Sequence, residues 1–166
     1  MRDRFAAFVT ERLDRLLRYA TALTCDPQLA QDIVQDVLLR AQQRWSRIES
    51  MASPDAYVRK MITNEYLSWR RRRASRTIAS THATLDALAT PTADPAGPYA
   101  ERDAMRARIA ALPRKQRAAI LLRYYEDYPD AQIAEVLGCS AGTVRSHISR
   151  ALATLRAVHQ VTENVR

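Results

Sequence analysis

The sequence predicts an all-α protein made of two small helical domains joined by a flexible linker. Three observations carry that prediction. Strand patterns are nearly absent, while apolar residues recur at helical spacing on both sides of the chain's middle. The middle itself, "ASRTIASTHATLDALATPTADPAGPYA", is rich in Ala, Ser, Thr and Pro, with Pro91, Pro95 and Pro98 near its end. That composition suits an extended linker better than a core element. Charge divides the same way: residues 1–73 carry a net +5, residues 74–100 a net −1 and residues 101–166 a net +4. A chain of 166 residues has room for one large domain or two small ones. The reading is therefore a domain at 1–73, a linker at 74–100 and a second domain at 101–166.

The elements follow in order. Phe5, Phe8, Val9, Leu13, Leu16, Leu17 and Ala20 make one helical stripe. Asp26-Pro27 is a helix start, with Asp as N-cap and Pro at the first helical position. The helix after it turns Ile33, Val34, Val37, Leu38, Ala41 and Trp45 inward. Ser53-Pro54 repeats the start signal for a helix over roughly 54–72, which buries Val58, Met61, Ile62 and Trp69 and ends in Arg70 to Arg73. Beyond the linker, a helix near 101–111 precedes Leu112-Pro113, and another spans roughly 114–125. The stretch "DAQIAEVLGCSAGTVRSHISRAL" then reads as two helices around a Gly138-Cys139-Ser140 turn. Asp130 is placed to cap the first, Gly138 to end it at positive φ, and Ser140 to cap the second.

Composition narrows the function. Lys and Arg number 26 against 18 acids, a net charge of +8 and a pI near 10.1. Only Lys60 and Lys115 are lysines, so the other 24 cations are arginines. Guanidinium groups grip phosphate oxygens bidentately and stack on bases, which favours nucleic acid. Codon bias in a GC-rich genome or a generic basic surface would give the same balance. Cys25 and Cys139 stand alone and are expected as reduced thiols. The N-terminus lacks the apolar run of a signal peptide, and no stretch approaches the roughly 20 apolar residues that span a bilayer. A soluble cytoplasmic protein without membrane insertion is expected. His82, His147 and His159 are scattered, Gly97, Gly138 and Gly142 make no phosphate loop, and no carboxylate pair has a catalytic context. No enzyme activity, metal, cofactor or small-molecule substrate is expected.

Three stretches point to binding. In the last helix pair, Val144, Ile148, Ala151, Leu152 and Leu155 line one face. Gly142, Ser146, Ser149 and Arg150 lie opposite, flanked by Thr143 and Arg145. A small polar face with cationic edges can enter a major groove; a solvated helix pair is the plainer alternative. In "AYVRKMITNEYLSWRRRR", Tyr57, Tyr66 and Trp69 interleave with Arg59, Lys60 and Arg70 to Arg73. Basic groups neutralise phosphates, aromatic faces take unstacked bases, and the Asn64 amide can read a base edge. Lys60, Asn64 and Leu67 form one ridge, and Arg59, Thr63, Tyr66 and Arg70 the next. Both ridges are expected to point away from the core. For Trp69 a core role is the better reading, and the arginine run suits a helix C-terminus as readily as it suits DNA. In "LAQDIVQDVLLRAQQRW", Asp32, Gln35, Asp36 and Leu39 share a stripe opposite the apolar one. Its physics alone fits a solvated face.

These stretches, in this order, resemble the extracytoplasmic-function (ECF) branch of the bacterial sigma-70 family. "LAQDIVQDVLLRA" is similar to region 2.2, "AYVRKMITNEYLSWRRRR" to regions 2.3 and 2.4, and "ALPRKQRAAILLRYYEDYPDAQIAEVLGCSAGTVRSHISRALATLR" to region 4. "NEYLSWRRR" and "LRYYED" are most similar to the actinobacterial SigE-like group. The resemblance implies a subunit that binds core RNA polymerase, through the β′ clamp helices and the β flap, and directs promoter-specific initiation and melting. It implies polymerase docking by Asp32, Gln35 and Asp36. It implies minus-ten reading by Asn64 with Arg59, Lys60, Arg70 and Arg71, and minus-thirty-five reading by Thr143, Arg145, Ser146, Ser149 and Arg150. An anti-sigma factor is a further partner it allows. Ser68, where many members have Asp, and Ser149, where larger side chains occur, leave the promoter sequence open. A stand-alone helix-turn-helix regulator is the alternative, though it gives the aromatic-basic helix no task.

Overall fold

Proline placement and capping fix where the helices of the first half begin. The computed structural model describes residues 2–77 and 98–163, with side chains over 3–69 and 102–157. Its first unit contains α1 (Arg2–Thr24), α2 (Pro27–Gln43), the single turn α3 (Trp45–Ile48) and α4 (Pro54–Thr77). Asp26 caps α2: its Oδ1 accepts from the N–H groups of Gln28 (2.9 Å) and Leu29 (3.2 Å). Ser53 does the same for α4, accepting from the Ala56 N–H at 3.2 Å.

The apolar stripes of α1, α2 and α4 meet in a core of Leu16, Leu23, Ile33, Val34, Val37, Val58 and Ile62. Each such side chain, fully buried, contributes about 1.5–3 kcal/mol. Phe5 and Phe8 close one end against Trp45, with ring centroids 5.2 and 4.8 Å away. Tyr19, absent from the expected stripe, is fully buried and hydrogen-bonds Thr63 of α4 at 2.7 Å. Thr63 donates to the Arg59 carbonyl at 3.0 Å, so the Tyr19 hydroxyl is the donor to Thr63. Burial raises the Tyr19 pKa far above the ordinary tyrosine value.

The second unit contains α5 (Pro98–Ala111), α6 (Arg114–Tyr124), α7 (Asp130–Leu137) and α8 (Ala141–Glu163). Ala118, Leu122, Ile133, Val144 and Ala151 form its core. Among the described residues no strand occurs, as expected. Two boundaries differ from the sequence reading. Helix α4 continues through Arg70–Arg73 to Thr77, and α5 starts at Pro98 instead of near 101. Pro98 fits a helix's first turn, where its missing N–H has no intrahelical role. Most of the expected linker lies outside the described residues.

The two units pack together, and arginines of α6 make much of the contact. Arg117, 8 % exposed, donates to the carbonyls of Ile109, Ala110 and Leu112, and also to Leu23 in the last turn of α1. One guanidinium thus satisfies the orphan carbonyls of two helix ends, and α1 has no basic residue of its own there. Arg114 donates to the Tyr66 carbonyl at 3.0 Å and sits over the Tyr66 and Trp69 rings, 4.8 and 5.5 Å from their centroids.

Candidate nucleic-acid interface

The α7–α8 pair has helix-turn-helix geometry, and local chemistry sets its turn. Gly138 ends α7 in the left-handed region, with φ 63° and ψ 44°. Only glycine adopts that conformation without a Cβ penalty. Ser140 accepts from the Thr143 N–H at 3.1 Å, and its hydroxyl lies 2.9 Å from that of Thr143. Ala134 is buried between the helices, as its small size suggests.

Asp130 corrects an expectation. It does not cap α7: Pro129 occupies the cap position without a side-chain bond, and Asp130 is already the first helical residue. Its carboxylate is drawn instead to two cations, Arg123 of α6 and Arg145 of α8, the latter at 3.6 Å. Sequence reasoning missed this role because neither arginine is a sequence neighbour.

On α8, Val144, Ile148 and Ala151 face inward and are buried. Thr143, Arg145, Ser146, Ser149 and Arg150 are exposed, so the structure brings all five onto one open face. Ser146 donates to the Gly142 carbonyl at 3.1 Å, which holds its hydroxyl against the helix and keeps the face low. His147 is half-buried beside them. Burial, and then Lys115 and Arg150 nearby, push its pKa below the ordinary histidine value of 6.5.

Helix α4 divides between two environments. Asn64 is exposed, as the sequence reading expects; Lys60 beside it is half-exposed, and Leu67, expected to point outward, packs partly buried against the core. The neighbouring ridge does not point to solvent. Arg59 is 6 % exposed, Thr63 is fully buried and Tyr66 is 1 % exposed. The reason is tertiary: α1 and the second unit cover this ridge, and the Arg59 guanidinium is ion-paired with Glu126, from the turn between α6 and α7, and with Asp55. Arg15 of α1 reaches the same Glu126 oxygen at 3.5 Å. Trp69 is only half-buried, against Arg114, and is not a core residue. Arg70 and Arg71 are helical, and their side chains lie outside the described residues.

On α2, Asp32, Gln35 and Asp36 are exposed, with Leu39 beside them at 54 %. Gln35 and Leu39 also border a shallow apolar groove between α1 and α2, lined by Phe5, Leu13, Leu17 and Val34. An acidic stripe beside an apolar groove suits a protein partner with a basic, apolar face, and repels nucleic acid. Among the described residues no group of three or more His, Cys, Asp or Glu side chains is placed to hold a metal, and no helix is long and apolar enough to cross a membrane.

Residues 8–76 match the model of sigma-70 region 2, and residues 102–155 match that of sigma-70 region 4. The RNA polymerase sigma-E factor of Streptomyces coelicolor is 37 % identical over 92 % of this chain and 84 % of its own length. The chain belongs to the sigma-70 family. It is an RNA polymerase sigma factor, which directs promoter-specific initiation by core RNA polymerase. The ECF sigma factor SigL of Mycobacterium tuberculosis is 34 % identical over 93 % of this sigma factor and 88 % of its own length. Among solved structures, the co-crystal of the sigma factor RpoE with the anti-sigma factor NepR from Bartonella quintana matches with a TM-score of 0.77. It is 25 % identical over 95 % of this chain and 98 % of that one. The region 2 match also gives the aromatic-basic helix a place that a stand-alone helix-turn-helix regulator would not need.

Proposed function

We propose that the two units of this sigma factor divide the work, with boundaries near those read from the sequence: 1–73, a linker at 74–100, and 101–166. The first unit docks on core polymerase through Asp32, Gln35 and Asp36 and reads the minus-ten strand with Asn64, Lys60 and Arg59, extended by Arg70 and Arg71. The second reads the minus-thirty-five duplex with Thr143, Arg145, Ser146, Ser149 and Arg150. It catalyses nothing itself, needs no cofactor and acts in the cytoplasm, where core polymerase works. An anti-sigma factor is a fitting regulator, since the matched RpoE was crystallised with one.

The observation that carries this reading is the α8 face. Five polar or cationic side chains stand exposed above a buried apolar face, behind a glycine turn and a serine cap. A purely structural hairpin needs the buried face but not the open one. Arg145 and Arg150 have the fork geometry that reads guanine, worth about 1–3 kcal/mol per good contact. The test is co-sedimentation with core polymerase beside run-off transcription from a promoter. Asp36→Arg is expected to lose core binding while its circular dichroism stays unchanged, and Arg150→Ala to retain core binding while losing promoter use. Equal behaviour of the two variants sinks the division of labour.

A further inference from the structure

Arg59 poses a problem that the promoter-reading assignment alone leaves standing. Its side chain is 7 % exposed, so no nucleic acid reaches it in the compact arrangement. Part of its cover is an anion from the other unit. The Glu126 side chain is 1 % exposed, with one carboxylate oxygen on Arg59 and within 3.5 Å of Arg15. Neither charge is buried without a partner, because desolvating an unpaired ion is too costly.

We propose that Glu126 is an internal substitute for a nucleic-acid phosphate. Its carboxylate occupies the Arg59 guanidinium, holds the region 4 unit against the region 2 unit, and must leave before α4 engages DNA. The inference rests on the assignment of α4 to strand reading. Carboxylate and phosphate oxygens are both charged acceptors for the guanidinium fork. One guanidinium buried by a carboxylate cannot at the same time bind a phosphate, so the two occupants exclude each other.

Three further features fit an exchange. Asp55, one helical turn before Arg59 and ion-paired with it, belongs to the same helix and stays when the units part, so Arg59 remains oriented. The second Glu126 oxygen is buried without a hydrogen-bond partner, so the closed pair leaves an acceptor unsatisfied that water would satisfy on opening. The rest of the docking contact includes arginine–carbonyl and arginine–ring contacts at Leu23, Tyr66 and Trp69, beside the Tyr19–Tyr125 ring pair. Water can replace the carbonyl contacts on opening. The apparent affinity for DNA then falls by the fraction of molecules that are open.

The experiment uses the full chain and its own two cysteines. Cys25 lies at the end of α1 and Cys139 in the α7–α8 turn, one in each unit and both free. Nitroxides on the pair give a distance distribution by electron–electron double resonance. Wild type is expected to give one narrow distribution. Glu126→Gln and Arg15→Gln, which weaken the contact from opposite sides, are expected to shift it to longer, broader distances while helical content stays constant.

A fluorescein-labelled single-stranded 20-mer of mixed sequence serves as the DNA probe. Glu126→Gln is expected to bind it about tenfold more tightly than wild type. Adding Arg59→Ala is expected to abolish that gain. Unchanged distances in both single variants overturn the proposal. So does an opened chain with no gain in affinity, or a gain that survives loss of Arg59. Failure of the promoter reading would show elsewhere, as the absence of run-off product from wild-type chain with core polymerase, and the distance measurement would still decide whether Glu126 closes the molecule.

Discussion

Glu126 and Arg59 form an ion pair across the two helical units, although one belongs to the turn after α6 and the other to the second turn of α4. The pair is buried, so the side chains should be energetically coupled well beyond what an exposed pair achieves. Substituting each singly with Gln, and then both, gives the coupling by a double-mutant cycle in urea. A coupling of about 2 kcal/mol is expected. Additivity within about 0.5 kcal/mol would show that the two charges do not sense each other.

Gly138 carries the turn of the helix-turn-helix through its backbone alone. A Cβ built there meets no atom within 4 Å, so only the positive φ opposes a side chain. Gly138→Ala is therefore expected to cost about 1–2 kcal/mol, and Gly138→Asn clearly less, because Asn tolerates the left-handed region. Thermal unfolding of the two variants checks the order. Equal losses would point to a steric cause.

Tyr19 joins α1 to α4 through a relay in which its hydroxyl donates to Thr63 and Thr63 donates to the Arg59 carbonyl. Tyr19→Phe leaves the packing and removes one buried bond, for a loss of about 1 kcal/mol. Tyr19→Phe in a Thr63→Val background is expected to cost less, since no orphaned hydroxyl remains. Chemical denaturation of the three variants provides the comparison.

His147 should make stability depend on pH. Its folded pKa is depressed below 6.5, mainly by burial. The unfolded chain therefore binds the proton more readily, and stability falls as pH drops below that ordinary value. Carboxylates add their own acid sensitivity, so the informative quantity is a difference. Between pH 7 and pH 5, wild type is expected to lose more stability than His147→Asn. Parallel pH profiles would remove His147 from the account.

The features legible in the sequence are those whose partners are near in the chain. Asp26 caps residues two and three positions on, and Ser140 caps Thr143. Gly138 answers only to its own φ. The exposed faces of α2 and α8 were legible too, because helical periodicity fixes them once the apolar stripe is known. Arg59 was not. Its ridge is polar by composition, yet it is buried by Glu126 from the far unit and by Tyr19 of α1 against Thr63. Arg117 is similar: nothing local says that one cation will serve the ends of both α1 and α5. Asp130 shows the same effect in reverse. A residue type suited to capping was captured by Arg123 and Arg145, which only the tertiary fold brings near.

The central claim is that this chain confers promoter choice on a polymerase that lacks it. Run-off transcription from a library of promoter-length duplexes, using core RNA polymerase with and without the chain, tests it most directly. The account predicts transcripts that start at one sequence class only when the chain is present, disappear with Asp36→Arg, and fall sharply with Arg150→Ala. Transcription that is unchanged by the chain, while the chain alone binds duplex DNA tightly and specifically, would contradict it.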